Sequence, residues 1–154
     1  MQILLVEDNK GIRDSLIDAL SHGPYQILSC ENGKKALEIV NNKPIDVVLS
    51  DIMMPVMDGH ELLKRIKENP ELSYIEVVLF TGYGDVRSAV EAMRHGAYDF
   101  ILKPVNIQEL DAVLKRLAEL VHLRKEHEQL TRRFSFFFFM HPVQHYNSYY
   151  IVCN

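Results

Sequence analysis

Residues 3–8 of this chain read Ile-Leu-Leu-Val-Glu-Asp, and residues 47–51 read Val-Val-Leu-Ser-Asp. Each stretch is a continuous apolar run that ends in acidic residues. Such runs predict strands of a parallel sheet whose two faces are both covered, because these strands are apolar on both sides. Residues 77–80 and 100–102 have the same character, and the weaker run at 25–28 fits an edge strand.

Between the candidate strands, apolar residues recur three and four positions apart, which predicts helices with one buried face. The predicted buried positions are Ile12, Leu16, Ala19 and Leu20, then Ala36, Leu37 and Val40, then Leu62, Leu63 and Ile66, then Val86, Ala89, Val90 and Met93, and in a fifth helix Leu110, Leu114, Leu117 and Val121. Asn32 and Asn106 stand where helix N-caps are expected. The alternation predicts an α/β fold, a doubly wound parallel sheet of five strands with five helices on its two faces.

The chain is 154 residues long, which indicates one compact domain with a short appendage. Residues 1–121 hold all the predicted elements and form the expected domain. Residues 122–133 are interpreted as a helical extension or linker, because Leu120, Leu123, His127 and Leu130 continue a helical spacing that also suits helix pairing. Residues 134–154 form an aromatic-rich tail of unknown role with no recognisable period; it is read as poorly ordered, or as a docking segment for a protein or a membrane surface.

The composition and net charge of the chain limit the binding partners and the cellular location that we expect for it. The formal net charge of −4 is too small to imply binding to nucleic acid or to an anionic membrane. No run approaches the roughly 20 apolar residues that a membrane span needs, and the apolar start is cut off by Glu7 and Asp8. Cys30 and Cys153 match no metal or redox spacing. These features predict a cytoplasmic protein with reduced thiols.

The polar chemistry follows the strands. Glu7 and Asp8 come after the first run, Asp51 after the third, Thr81 after the fourth, and Lys103 at the end of the fifth. The carboxyl ends of parallel strands meet at one edge of a sheet, so these side chains are expected to converge there. Each of them alone is more often a helix cap or a turn residue.

The convergence predicts phosphoryl chemistry. Carboxylates held close together repel unless a cation neutralises them, and Mg²⁺ prefers such oxygen ligands. Lys103 and Thr81 then suit an anion above the metal, most plausibly a phosphoryl group, with one carboxylate as the nucleophile.

These segments resemble the response regulator receiver domains of bacterial two-component signalling. The resemblance rests on residues 3–9 (Ile-Leu-Leu-Val-Glu-Asp-Asn), 51–59 (Asp-Ile-Met-Met-Pro-Val-Met-Asp-Gly), 81–82 (Thr-Gly) and 100–104 (Phe-Ile-Leu-Lys-Pro), and covers residues 1–121. It implies a flavodoxin-like fold with strand order 2-1-3-4-5.

The resemblance also implies roles for individual residues. Asp51 matches the phosphoacceptor, Thr81 the hydroxyl residue drawn toward the phosphoryl group, and Lys103 the lysine that pairs with it, in a bond to Pro104 that is usually cis. The Mg²⁺ ligands would be Asp8, Asp51, Glu7 through water, and the backbone carbonyl of Met53. Phe100 matches the switch aromatic, although it lacks a hydroxyl.

The implied function is a signalling switch that accepts a phosphoryl group from a sensor histidine kinase and is not a turnover enzyme. Its downstream partner, or a second copy, would bind through the face made by helix 4, strand 5 and helix 5. The alternative is the regulatory part of a DNA-directed transcription regulator whose output module lies outside this sequence; direct nucleic-acid binding is not expected.

Other classes fit less well. A haloacid-dehalogenase-type phosphatase needs a second aspartate two residues after the nucleophile, where this chain has Met53. A nucleotide-binding domain needs a glycine-rich phosphate loop after the first strand, where this chain has Glu7 and Asp8. A receiver that serves only as a structural domain stays open.

Overall fold

The computed structural model describes residues 1–82 and 86–140 of the chain. The chain divides into two units, Met1–Val121 and a second one that starts at His122. The elements, in chain order, are β1 (Gln2–Val6), α1 (Lys10–Ser21), β2 (Gln26–Cys30), α2 (Gly33–Asn42), β3 (Val47–Asp51), α3 (Gly59–Glu68), β4 (Glu76–Thr81), α4 (Val86–Arg94), β5 (Asp99–Leu102) and α5 (Ile107–Met140).

The five strands form one parallel sheet in the order β2-β1-β3-β4-β5. This confirms the expected flavodoxin-like order and places the weak second run at an edge. The chain leaves β1 toward one edge and returns on its other side at β3. Ligand sites of open α/β sheets form at such a switch point, beyond the carboxyl ends of the strands.

Each strand contributes to two hydrophobic clusters because successive side chains point to opposite faces of the sheet. One cluster joins Leu4, Val48, Val77 and Leu79 to side chains of α2 and α3, including Ala36, Val40, Leu62 and Ile66. The other joins Ile3, Leu49, Val78 and Phe80 to side chains of α1 and α5, including Leu16, Leu20, Leu114 and Leu117. The central strands are therefore apolar on both sides, as their continuous runs predict.

Short polar side chains start the helices that follow the strands. The Asn9 side chain accepts from the Ile12 amide, Asn32 from the Lys35 amide, and Asp58 from the Glu61 amide. These are the N-cap bonds that fix where a helix begins. Asn106, the second predicted cap, accepts from the amide of Glu109, 3.2 Å away, at the start of α5. Both predicted caps are confirmed.

The predicted buried face of α4 is partly wrong. Val90 and Met93 are 46% and 44% exposed, whereas the small residues Ala89 and Ala92 face the core. Alanines let a helix lie close to a sheet, so the larger apolar residues remain at its outer side. Ile12 of α1 likewise stays 41% exposed rather than buried.

Helix α5 is longer than the sequence period indicates, because it continues through Met140. The interpretation of residues 134–154 as a poorly ordered tail is therefore wrong for residues 134–140, which are helical. Phe134, Phe136, Phe137 and Phe139 leave that part without an apolar and a polar side, so it shows no period, yet no glycine or proline interrupts it. The remainder of the aromatic tail, with Cys153, lies outside the described residues.

None of the helices in the described part of the chain is both long enough and apolar enough to cross a membrane.

Candidate functional site

Three carboxylates meet at the carboxyl ends of β1 and β3. Glu7 and Asp8 follow β1, and Asp51 is the last residue of β3. One carboxylate oxygen from each lies within 4.8 Å of the other two. Glu7 and Asp51 are buried, whereas Asp8 is exposed. The sheet therefore brings together the acidic residues expected to converge.

Lys103 reaches the same cluster from the end of β5. Its Nζ donates to Oδ2 of Asp51 at 2.6 Å and to Oε2 of Glu7 at 3.1 Å. Burial by itself lowers the pKa of the ammonium, but the hydrogen bonds to the two carboxylates outweigh it, and the pKa lies above its usual value. Lys103 is thus a fixed cation whose head lies between the two buried acids.

The single positive charge of Lys103 does not neutralise the negative charge of the three carboxylates. Burial raises the pKa of the Glu7 carboxyl, against hydrogen bonds from the Asn9 amide and Lys103 that lower it. At an effective dielectric constant near 20, two buried carboxylates at this separation repel by about 3 kcal/mol. Three carboxylates against one ammonium leave an excess negative charge among oxygen donors. This donor set fits a hard divalent cation such as Mg²⁺.

Thr81 ends β4 beside the carboxylates. Its side chain is buried, and its Oγ1 has no hydrogen-bond partner among the described residues. Leaving a buried hydroxyl unpaired costs about 1–3 kcal/mol. The Thr81 carbonyl accepts from the Lys103 amide at 2.7 Å, so strand pairing ties the hydroxyl residue to the lysine. The Thr81 hydroxyl can therefore form a hydrogen bond to a bound ligand, or to another group of the site if the site rearranges.

The loop between β3 and α3 folds back over the end of β3. The Met53 amide donates to Oδ1 of Asp51 at 3.3 Å, and the Met53 side chain is 77% exposed. The Gly59 amide donates to the Ile52 carbonyl at 2.9 Å, and a Cβ at Gly59 would overlap the Asp51 carbonyl oxygen. The loop therefore fixes both the backbone and one carboxylate oxygen of Asp51.

One residue of this loop is strained. Val56 has φ +72°, in the left-handed region that β-branched residues rarely adopt. The sequence gives no sign of this conformation, since glycine or asparagine is the usual residue there.

Phe100, the expected switch aromatic, lies in β5 next to Leu79 of β4. Its side chain is half-buried, and its amide donates to Oδ1 of Asp99 at 2.8 Å. Asp99 also pairs with Arg116 of α5 at 3.4 Å. The peptide bond between Lys103 and Pro104, after this strand, is cis.

Sequence reasoning did not identify Arg13. Its Nη1 donates to the Glu7 carbonyl at 2.6 Å, which ties α1 to the loop that carries two of the acids. Nothing in the linear pattern distinguishes Arg13 from a solvated arginine on α1.

A mainly apolar groove of about 680 Å³ lies beside the cluster, between α1 and the start of α5. Its lining includes Ile12, Leu16, Pro104 and Ile107, and Lys103 borders it. Ile12 and Ile107 are each about 40% exposed there. The groove therefore places a mainly apolar surface beside the lysine.

The sequence profile described as response regulator receiver domain matches residues 3–115. Regulatory protein AtoC of Escherichia coli (strain K12) is 35% identical over 134 residues, which is 87% of this chain and 29% of AtoC. The DNA-binding transcriptional regulator NtrC of the same organism is 39% identical over 114 residues, 74% of this chain and 24% of NtrC. The chain thus spans less than a third of the length of these relatives.

Among solved structures, the signal receiver domain of a putative Luxo repressor protein from Vibrio parahaemolyticus has a TM-score of 0.77 and 27% sequence identity. The match covers 82% of this chain and 96% of that domain. The likeness therefore extends over a whole receiver domain.

Proposed function

Because this chain belongs to the response regulator receiver domain family, we propose that it is a phosphorylation-dependent signalling switch whose phosphoacceptor is Asp51. The donor would be a phosphohistidine of a sensor histidine kinase. The observation that carries the proposal is the pairing of Lys103 with Asp51 at 2.6 Å, inside a cluster with two further acids. A carboxylate held by a fixed cation is ready to receive an anionic phosphoryl group beside it.

The transfer step is a displacement at phosphorus. A carboxylate oxygen of Asp51 forms a bond to phosphorus while the bond from phosphorus to the donor imidazole nitrogen breaks, and the imidazole leaves with the bonding electron pair. Lys103 then pairs with the added negative charge, and the free hydroxyl of Thr81 donates to a phosphoryl oxygen. This arrangement assists a single phosphorylation and its later hydrolysis, so we class the chain as a phosphoacceptor and not as a turnover enzyme.

The proposed Mg²⁺ ligands are Asp8, Asp51, Glu7 through water, and the Met53 carbonyl. The ion, when bound, neutralises the phosphoryl oxygens that approach three carboxylates. The excess negative charge of the cluster and its all-oxygen donor set support this assignment. A kinase that draws its phosphoryl group from ATP acts in the cytoplasm, so the proposal includes a cytoplasmic location.

Removal of the metal tests the proposed function. With a small phosphodonor such as acetyl phosphate and Mg²⁺, the full chain should become phosphorylated, and excess EDTA should lower the rate at least about tenfold, because three carboxylates would then repel the donor. Asp8→Asn should raise the Mg²⁺ concentration needed for half-maximal labelling. The measurement is the mass of the intact phosphoprotein against time.

The matched control for Asp8→Asn is Asp14→Asn, since Asp14 is an exposed acid of the neighbouring helix that pairs with Lys10. Its Mg²⁺ requirement should equal that of the unaltered protein. Equal labelling rates in EDTA and in Mg²⁺ would contradict the metal site. No labelling under any condition would contradict the proposed function.

A second candidate is that this receiver regulates a DNA-directed output module. The similarity to NtrC, a transcriptional regulator of which the chain matches 24%, supports it. The site chemistry would be the same, and only the target would differ. Sequencing the gene beyond codon 154 separates this candidate from a switch that acts through other proteins.

The groove between α1 and α5 is the surface that we assign to the kinase. A phosphohistidine must approach Asp51 from outside the strand ends, and Lys103 borders both the groove and the carboxylates. Ile12 and Ile107, partly exposed in the groove, would receive apolar side chains of the helix that carries the histidine.

The output surface is proposed to be the face of α4, β5 and the part of α5 before residue 122. Movement of the Thr81 hydroxyl toward a phosphoryl group would vacate space that the Phe100 ring could enter, which changes the packing of β5 against α4. Val90, Met93 and Leu102 are each 44–46% exposed on these elements. Exposed charged residues of α4, including Arg87, Glu91 and Arg94, lie beside them. Apolar side chains with a charged rim are typical of a protein-interaction surface.

Thr81→Val should separate folding from switching. Valine matches threonine in shape and removes the unpaired buried hydroxyl, so the free energy of unfolding should stay equal or rise by about 1 kcal/mol. With beryllofluoride as a phosphoryl mimic, the unaltered protein should change amide exchange across residues 86–121, and the variant should change it far less. Hydrogen–deuterium exchange with mass spectrometry measures both.

Residues of β2 and α2 provide the internal control, because they lie at the opposite edge of the sheet and should exchange alike with and without the mimic. If Thr81→Val switches as fully as the unaltered protein, the hydroxyl does not couple the site to this face. Unchanged exchange across residues 86–121 in both proteins would contradict the proposed output surface.

A further inference from the structure

The second unit of the chain carries an apolar stripe that its described residues leave exposed. From His122 onward, Leu123, Leu130 and Phe134 are 62%, 53% and 63% exposed on α5. With His127 they follow one another at intervals of four, three and four residues. We call these four residues the extension stripe. Such spacing keeps side chains on one side of a helix and is the a/d pattern of helices that pair.

The intervals assign heptad positions to the stripe. Leu123 and Leu130 take position d, and His127 and Phe134 take position a. Glu126 and Arg133 then both occupy position g, which flanks the seam between two paired helices. A partner helix should therefore be apolar along its seam and should offer a complementary charge beside each g position.

A second copy of the same helix meets both conditions when it runs antiparallel. Position a of one antiparallel helix packs against position d of the other, which sets Leu123 against Phe134 of the partner subunit and His127 against Leu130 of the partner subunit. In that register g positions face g positions, so Glu126 lies beside Arg133 of the partner subunit. Symmetry repeats this pair of opposite charges at the other end.

A parallel pair lacks these advantages within the extension. It would set His127 against its own copy, and each g position would face an e position, so Glu126 would lie beside Thr131 of the partner subunit and not beside a basic residue. Glu126 now pairs with His122 of the same chain at 3.3 Å, but both side chains are more than half exposed. Glu126 can therefore exchange His122 for Arg133 of the partner subunit at little cost in free energy.

We propose that two copies of this chain associate through an antiparallel pairing of their extension stripes. Leu123, Leu130 and Phe134 are each only 53–63% exposed. Large apolar side chains cover about 150 Å² or more when fully buried, so the exposed parts of these three supply roughly 300 Å² per subunit. Standard interfaces use about 800 Å² per partner. The dimer should therefore be weak and reversible.

Sedimentation equilibrium of the full chain, from about 1 to 200 µM, tests the proposal. The unaltered protein should dissociate reversibly from dimer to monomer, and Leu130→Glu should be monomeric throughout. Glu126→Arg and Arg133→Glu each place like charges at both symmetric sites, so each should weaken the dimer about tenfold. The double variant with both changes restores opposite charges and should recover the original dissociation constant.

The double variant makes the test specific to the antiparallel register, because in a parallel pair these two positions do not face each other. The proposal would be overturned if Glu126→Arg and Arg133→Glu each left the dissociation constant unchanged. A monomer across the whole range would also overturn it. So would binding of a monomeric protein to anionic lipid vesicles through the exposed phenylalanines.

Discussion

The Asp51→Asn protein should take up no phosphoryl group from a small donor under conditions that label the unaltered chain fully. A carboxamide oxygen is too weak a nucleophile to displace a leaving group from phosphorus. The fold should be retained, because asparagine keeps the shape of aspartate and one of the two acceptor oxygens, which receive bonds from the Met53 amide and from Lys103 in the unaltered protein. We expect at least about a 100-fold loss of labelling rate and a thermal midpoint within a few degrees of the original. Intact-mass spectrometry and a thermal melt measure the two quantities.

The matched control is Asp58→Asn, seven residues further along the same loop. Asp58 is exposed and caps α3 by accepting from the Glu61 amide at 2.8 Å. Asparagine caps helices about as well as aspartate does. This variant should therefore be labelled at the original rate, which shows that loss in Asp51→Asn comes from the nucleophile and not from the loop.

Label retained by Asp51→Asn would contradict the assignment of the phosphoacceptor. Peptide mapping of the retained label would then name the residue used instead, and Asp8 is the nearest exposed carboxylate in the cluster. Label lost equally in both variants would point to damage of the β3–α3 loop.

The sheet and the convergence of acids were predictable because they depend on short-range pattern. Strands buried on both faces must be apolar at every position, so Ile3 to Val6 and Val47 to Leu49 stand out from the rest of the sequence. Once a parallel sheet is predicted, the residues after its strands must share one edge. The proximity of Glu7, Asp8 and Asp51 could therefore be predicted from the sequence alone.

The state of each polar atom in the site was not predictable in the same way. It depends on distances between residues far apart in the chain, such as the 2.6 Å from Lys103 to Asp51, separated by 52 positions. The unpartnered hydroxyl of Thr81 and the bond from Arg13 to the Glu7 carbonyl have no counterpart in spacing. Both features depend on how the helices, strands and loops pack against one another in three dimensions.

Helix faces were predicted less well than strands for a related reason. For α4 the hydrophobic period correctly predicted that Ala89 is buried, but it also predicted burial of the larger Val90 and Met93, which are exposed, and missed Ala92, which faces the core. Close approach favours small residues, and the sequence does not state how close two elements lie. The exposed Val90 and Met93 are then the feature of interest, since they belong to the proposed output surface.

Gly59→Ala should be the most damaging substitution outside the carboxylate cluster. A Cβ at this position would overlap the Asp51 carbonyl oxygen and lie 2.9 Å from Ile52 Cα, and backbone atoms of a central strand cannot move aside as a flexible side chain can. We expect a loss of about 3 kcal/mol in the free energy of unfolding, at the upper end of overpacking costs. The thermal midpoint should fall by about 10 °C.

Phosphorylation should suffer as well, because any relief of this overlap displaces Asp51. A shift of the order of 1 Å in a reacting group can cost up to about 100-fold in rate, so labelling of Gly59→Ala by acetyl phosphate should slow at least about tenfold at a temperature where the variant is folded. Gly82→Ala is the matched control, since a Cβ at Gly82 meets nothing within 4 Å. It should melt and label as the unaltered protein does. A Gly59→Ala protein that melts normally would show that the β3–α3 loop yields at this contact, and normal labelling by a destabilised protein would show that Gly59 supports the fold without positioning Asp51.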